Sequence, residues 1–374
     1  MHKRLLKAKM RCDIIFIDIT SLVKEVRMKR FLSYIILLSL VLFVLSGCQG
    51  NSDSSDDTHA PSEVPKETET PAQNFQYTVN EDNTVFINKY TGSDKHVVIP
   101  SQIDGMPVSL LLGVPDKEYS YLATEGVFEN TGVESVIIPD TVVKIGGRAF
   151  MGCKSLSSVS LSNASSLQTI GASAFKGCNK LESLDASATM LKLIEAQAFE
   201  GCSALKNVIL PETATTIKAN AFCDCTSLLE INLPDTLTDI ERFAFKNCTS
   251  LKKLTIPKSL RMNGFEGPAF YGNTSLETII FEDGREEIAG YIFFAIDQSV
   301  DIVIPASVKK FSCLPFNVIN KTPKTPIKIT FMGDCPEITD THEYFGDPTV
   351  LYDPNTNGWS ECEWQGMYKF EEMK

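Results

Sequence analysis

The sequence predicts a repeat solenoid with one short parallel strand per repeat of about 23 residues, the strands forming a curved parallel sheet on a concave face. Three recurrences carry this reading. A Phe returns at near-constant spacing, usually after Ala: Phe128, Phe150, Phe175, Phe199, Phe222, Phe245, Phe270, Phe293 and Phe316, at intervals of 22, 25, 24, 23, 23, 25, 23 and 23 residues. Three residues later stands Cys153, Cys178, Cys202, Cys225 or Cys248, with Asn273 in that place once. Six residues after the Phe stands Leu156, Leu181, Leu205, Leu228, Leu251 or Leu276.

Each piece of the unit has a physical reading. Leu251-x-x-Leu254-x-Ile256 alternates as a strand does, with every second residue inward. Pro257 ends it, because Pro donates nothing to a ladder. A turn such as Thr236–Glu241 follows, carrying inward Leu237 and Ile240. The Ala-Phe segment then returns along the far side, its Phe filling the interior. A single unit leaves its apolar face open, whereas stacked units bury a continuous core.

A period in the low twenties is that of leucine-rich repeats. The run Ile240…Ala244-Phe245-Lys246-Asn247-Cys248-Thr249-Ser250-Leu251 and its copies resemble the BspA-type leucine-rich repeat family over about residues 75–374. Val97-Val98-Ile99-Pro100-Ser101…Asp104-Gly105-Met106-Pro107-Val108 looks like that family's opening repeat, with a loop inserted near Val114–Ala123. Phe331-Met332-Gly333-Asp334-Cys335-Pro336 resembles its closing segment, and the stretch to Trp364 looks like a cap. The resemblance implies a surface-displayed binding module that adheres to host matrix proteins, other bacteria or glycans.

The ladder cysteines invite a disulfide reading. Parallel strands stack about 4.8 Å apart, which brings neighbouring thiols within bridging range. All five, however, point the same way beneath the Ala-Phe segment, and an odd number leaves one over. They are expected to be reduced and buried, acting as small hydrophobes. Cys223 and Cys225 form only a Cys-x-Cys, a weak metal signal without a second pair.

The N-terminus reads as an export signal. Phe31 to Leu45 is apolar except for Ser33 and Ser39, and is shorter than the roughly 20 residues of a membrane span. Lys29 and Arg30 precede it and small residues follow, as in a signal peptide. Leu45-Ser46-Gly47-Cys48 resembles a bacterial lipobox, which implies that Cys48 is diacylated and becomes the mature N-terminus. Met28 stands directly before Lys29, so Met1–Arg27 reads as a misassigned start. Gln49 to Asn74 is rich in Ser, Asp, Thr, Glu and Pro, a composition too polar to offset its ordering entropy, and reads as a tether. The expected organisation is 1–27 misassigned, 28–47 signal peptide, 48–74 lipidated Cys and tether, 75–127 N-terminal cap and opening repeat, 128–331 repeat array, and 332–374 C-terminal cap. The expected location is the bacterial cell envelope, with the membrane touched only through the lipid.

The formal charge is −12 over 374 residues. Residues 1–48 hold 9 Lys/Arg and 3 Asp/Glu, which leaves 26 against 44 in the remainder, a net −18. So acidic a body lacks the basic face that nucleic acid requires. His2, His59, His96 and His342 are scattered, and no phosphate loop, zinc helix or nucleophile elbow occurs. Glu286-Glu287 is a carboxylate pair of the solvated kind. No enzyme and no cofactor or metal site is expected.

Surface remains. The outward strand positions read Ser135 and Ile137, Ser158 and Ser160, Ser183 and Asp185, Asn207 and Ile209, Glu230 and Asn232, Lys253 and Thr255, Thr278 and Ile280, Asp301 and Val303. The second of each pair forms the candidate binding strip: Ile137, Ser160, Asp185, Ile209, Asn232, Thr255, Ile280 and Val303. Tyr119 and Tyr121 in the inserted loop are candidate edge contacts, Tyr being enriched at interfaces. An envelope-associated structural module without an external ligand is the competing reading, since β-branched residues also simply suit strands. The lipobox resemblance makes a direct prediction: mass spectrometry of the native N-terminus finds an acylated Cys48. An unmodified N-terminus beyond residue 48 refutes it.

Overall fold

The computed structural model describes residues 68–115, 123–261, 268–289, 299–312, 327–340 and 348–374. Cys48, Tyr119, Tyr121, Phe293, Phe316 and His342 lie outside them. The chain there winds as a parallel-strand solenoid, and its only helical pieces among the described residues are the short 3-10 segments Ala72–Asn74 and Trp359–Glu361.

Each turn has three sides. The first carries the expected strands Ser135–Ile137, Ser158–Ser160, Ser183–Asp185, Asn207–Ile209, Glu230–Ile231, Lys253–Ile256, Thr278–Phe281 and Asp301–Ile304. Neighbours pair in parallel, as in Asp185 opposite Ile209 and Ile280 opposite Val303. The middle residues Val136, Val159, Leu184, Val208, Ile231, Leu254, Ile279 and Ile302 are buried. Hydrogen bonding divides this side into sheets of three, three and six strands.

The second side corrects the expected turn. Thr236–Glu241 contains a strand, Asp239–Ile240, which continues a parallel ladder through Lys144–Ile145, Thr169–Ile170, Leu193–Ile194 and Thr216–Ile217. Two residues per strand are too few for alternation to appear in the sequence. Leu237 is buried as expected, while Ile240 is only half-buried, unlike Ile145, Ile170, Ile194 and Ile217.

The third side is the Ala-Phe segment. Phe150 N–H donates to Ala174 O, Phe175 to Ala198 O, Phe199 to Ala221 O and Phe222 to Ala244 O, each at 2.7 Å. This ladder is not a regular strand, because its backbone turns left-handed on either side of the Phe. Arg148, Ser173, Gln197, Asn220 and Phe243 have positive φ two residues before it, and Gly152, Gly177, Gly201, Asp224 and Asn247 two residues after. Gly, Asn and Asp tolerate that conformation best, which explains the residue types in the second set.

Inside, Phe128, Phe150, Phe175, Phe199, Phe222, Phe245 and Phe270 form one column, with ring centroids 4.9–5.1 Å apart and planes within 7° of parallel. That spacing matches the distance between neighbouring strands. Beside it the thiols form a second column. Cys153 Sγ donates to Phe128 O at 2.9 Å, Cys178 to Phe150 O at 3.0 Å, Cys202 to Phe175 O at 3.1 Å, and Cys225 and Cys248 to Phe199 O and Phe222 O at 3.2 Å. The cysteines are buried, as expected. They are also donors to main-chain carbonyls, which a purely hydrophobic reading leaves out.

The ends differ from the expected boundaries. Residues before 75 take part in the fold: Thr70 N–H donates to Val98 O at 2.8 Å, Val98 N–H to Thr70 Oγ1 at 3.0 Å, and Ser101 N–H to Glu69 Oε1 at 3.0 Å. Phe75–Val79 pairs antiparallel with Val85–Tyr90, which leads into the second side, and Tyr90 places its ring 4.9 Å from Phe128 at the head of the column. The inserted loop is closed at its base by the antiparallel pair Val114–Pro115 and Ala123–Glu125. At the other end the first side does not stop at 331: Lys328–Phe331, Thr349–Tyr352 and Lys369–Glu372 extend it in parallel. Trp359 and Trp364 are buried there, 5.1 Å from Phe331 and 5.5 Å from Phe311 respectively.

Phe222 sits 5.1 Å from both Phe199 and Phe245, so its removal leaves a cavity that identical turns cannot fill. Phe222→Ala is expected to cost about 3–5 kcal/mol in urea melts. Phe370→Ala, at a half-buried position in the last strand, costs less. Equal losses would show that the column is not what holds the turns together.

Candidate functional site

The strip predicted from alternation lies on the outward side of the first ladder. Its members align in three hydrogen-bonded blocks. Val98, Ile137 and Ser160 are opposite one another, Asp185 is opposite Ile209, and Thr255, Ile280 and Val303 continue into Thr330, Leu351 and Glu371. The sequence pattern missed the added members at both ends, because the Phe–Cys–Leu signature that located the strands has faded there.

The members differ in what they offer. Ile137, Ser160, Thr255, Ile280 and Val303 are half-buried, while Asp185, Ile209 and Asn232 are exposed. Ile209 shows 45% of its surface, the most open apolar group on the strip. Asn232 faces outward but is already engaged: its Oδ1 accepts from Leu210 N–H at 2.7 Å and its Nδ2 donates to Leu210 O at 2.9 Å. Its side-chain amide thus takes the place of the next main-chain ladder bond, where the strand Glu230–Ile231 stops. Ser160 Oγ lies 3.1 Å from Ser162 Oγ.

One border of the sheet carries charge paired from turn to turn. Lys95 meets Glu134 at 2.7 Å, Lys206 meets Glu182 at 3.0 Å, and Lys252 meets Glu277 at 3.4 Å. The hydrogen bond and charge of Lys95 hold the Glu134 carboxyl below the usual carboxylate range. Exposed pairs of this kind add roughly 0–1 kcal/mol each. They also leave the border nearly neutral beside the strip. Between Lys206 and Lys252 the same border position is Leu229, 47% exposed, with its N–H bonded to Lys206 O at 2.9 Å. Leu229 was hidden in the sequence by its neighbour Leu228, which fills the inward Leu position.

Groups with chemical potential are spread apart. His96 Nδ1 lies 2.8 Å from Ser135 Oγ at the first turns. Glu286 is held by Lys309, which lowers its carboxyl below the ordinary range. Cys225 points to Phe199 O, whereas Cys223 turns to Asp224 at 3.4 Å, so the two thiols of the Cys-x-Cys serve different partners. Burial pushes the ladder thiols far up, and burial together with the charge of Asp224 pushes Cys223 up to about 12. Among the described residues no helix is long and apolar enough to cross a membrane.

The family model described as BspA type leucine-rich repeat region matches residues 124–213 and 192–320, in six copies. The chain belongs to this family. Among solved structures, this BspA-type chain is similar to a leucine-rich cell surface protein from Faecalibacterium prausnitzii A2-165, at 23% identity and TM-score 0.52, covering 83% of this chain and 96% of that one. A leucine-rich repeat protein from Bacteroides ovatus ATCC 8483 is similar at 20% identity and TM-score 0.46, covering 82% and 77%. No curated protein sequence matches. The first likeness shows the fold, and the family model shows the repeat type.

The raised thiols give this BspA-type array a pH signature. A thiol held neutral when folded keeps its contribution below the unfolded thiol value of about 8.5, and loses it as pH rises further, because only the unfolded chain then releases the proton. Stability is therefore expected to fall with rising pH above that value. Cys202→Ala reduces the slope by up to about 1.4 kcal/mol per pH unit. Thiol labelling checks the same point: the ladder cysteines resist alkylation when folded, and all five react in denaturant without reductant.

Proposed function

We propose that this BspA-type protein is exported, anchored to the envelope through Cys48, and binds an extended partner, a protein or a glycan, along the outward strip of the first sheet, without catalysis. The observation that carries the reading is Ile209, an apolar β-branched side chain 45% exposed in the middle block of the strip. Partner binding concentrates at a few such anchors. Exposed Leu229 and one charge-paired border lie along the same sheet. Strands from His96–Val98 to Lys369–Glu372, spaced about 4.8 Å apart, make a strip of about 50 Å, long enough for an extended chain. The lipobox resemblance and the polar tether supply the anchor and the reach.

Screening the full chain on immobilised protein and glycan arrays finds the partner, and Ile209→Asp tests the face. The variant is expected to weaken binding at least about tenfold while leaving the melting midpoint nearly unchanged, since the side chain is outside the core. Binding depends weakly on salt, and Glu67→Lys on the tether changes nothing. If Ile209→Asp leaves affinity intact, the strip is not the site, and the loop bearing Tyr119 and Tyr121 becomes the next surface to mutate. An array with no partner at all favours the envelope-structural role.

A further inference from the structure

The cysteines outside the ladder are arranged differently from those inside it. Ladder thiols all point one way, each onto the carbonyl of the preceding turn's Phe. Cys335 and Cys362 come from separate segments and meet. Cys335 follows the strand Lys328–Phe331, and its N–H donates to Asn357 O at 2.9 Å. Asn357 N–H in turn donates to Asp334 Oδ1 at 2.8 Å. The chain then passes close over Cys335 at Gly358, whose φ of 81° is left-handed. A Cβ built there would stand 3.3 Å from Cys335 Cβ, so this approach suits a residue with neither a side chain nor a bar to positive φ.

One short helical turn later, Trp359 Nε1 donates to Gly333 O at 3.3 Å and Cys362 N–H closes the turn onto Trp359 O. The segments 333–335 and 357–362 are therefore pinned on both flanks of the two sulfurs. Cys335 Sγ lies 3.6 Å from Pro336 O, and the two thiols are close enough for each to shift the other's ionisation. Cys362 is buried at 6% exposure and Cys335 is half-buried.

We propose that Cys335 and Cys362 are a disulfide-forming pair that staples the C-terminal end of the solenoid. An array of repeats ends on a turn whose core side has no further neighbour, and so needs a cap. Here the cap is Trp359 with Trp364, and a bond between these sulfurs ties the segment holding Trp359 to the last turns. Closing a loop of this length removes freedom chiefly from the unfolded chain. Formation is a thiol–disulfide exchange with a partner disulfide, of the small-molecule or oxidoreductase class. The two thiols lose two protons and two electrons, one S–S bond forms between them, and the oxidant's S–S bond is reduced to two thiols. The neighbouring Cys335 lowers the Cys362 thiol below its ordinary value, toward the thiolate form that reacts.

The inference draws on the export reading only for its cellular oxidant, so the test supplies the oxidant itself. The full chain in detergent is incubated natively with oxidised glutathione, then denatured and alkylated. Trypsin leaves both cysteines on one peptide, because no Lys or Arg lies between Lys328 and Lys369, so a protease that cuts at Glu is used. The expected product is a reductant-sensitive peptide pair joining Cys335 to Cys362, with the five ladder cysteines alkylated. Melting should fall by several degrees on adding reductant to the oxidised chain, and Cys335→Ser should abolish that sensitivity. Full alkylation of both cysteines after oxidation, glutathione caps in place of the cross-link, or a bond from either cysteine to Cys313 overturns the proposal. None of these outcomes bears on whether the chain is exported.

Discussion

The structure depends on one constraint: each turn must stack on the last at about 5 Å, with the same kind of residue above the same kind. The Phe column meets it with near-parallel rings 4.9–5.1 Å apart, the Ala-Phe backbone with 2.7–2.8 Å hydrogen bonds to the following turn. The thiols meet it in a third way. Each column Phe carbonyl from 128 to 222 already accepts an N–H from its own turn, and Sγ of the next turn's Cys adds a second donor that links the two turns. The place after Phe therefore calls for a side chain that is both compact and able to donate. Ala would fit the space and leave that bond unmade.

Repetition settles the middle and leaves the ends unsolved. At the start, a tilted Tyr90 and the antiparallel strand Phe75–Val79 cover the first ring, and Glu69 and Thr70 bind the opening turn from what composition marks as tether. At the finish, the Phe–Cys–Leu signature fades while the parallel ladder runs on to Lys369–Glu372, and two Trp replace the Phe column. A cap needs large rings in unlike orientations, so it cannot be written in the repeat's own pattern.

Because stacking constrains only inward residues, the outward strip is free to vary, and it does. Asp185, Ile209 and Asn232 occupy one column, yet one is charged, one apolar and one spent on completing the ladder. A binding module and a stable solenoid are thus compatible in the same short strand only because the two tasks fall on its opposite faces.

The sequence by itself determined the solenoid, its period, the first-side strands and the inward columns, down to individual residues such as Leu254 and Ile209. These are local properties, repeated often enough for spacing to reveal them. Tertiary structure decided the rest. The two-residue strands such as Asp239–Ile240 are too short to alternate visibly. The donation from Cys202 to Phe175 O and the clasp of Asn232 on Leu210 join residues more than 20 positions apart. The exposure of Leu229 and the meeting of Cys335 with Cys362 likewise follow from which turn lies against which. Periodicity shows which way a side chain points, and only the packed neighbour shows what it meets.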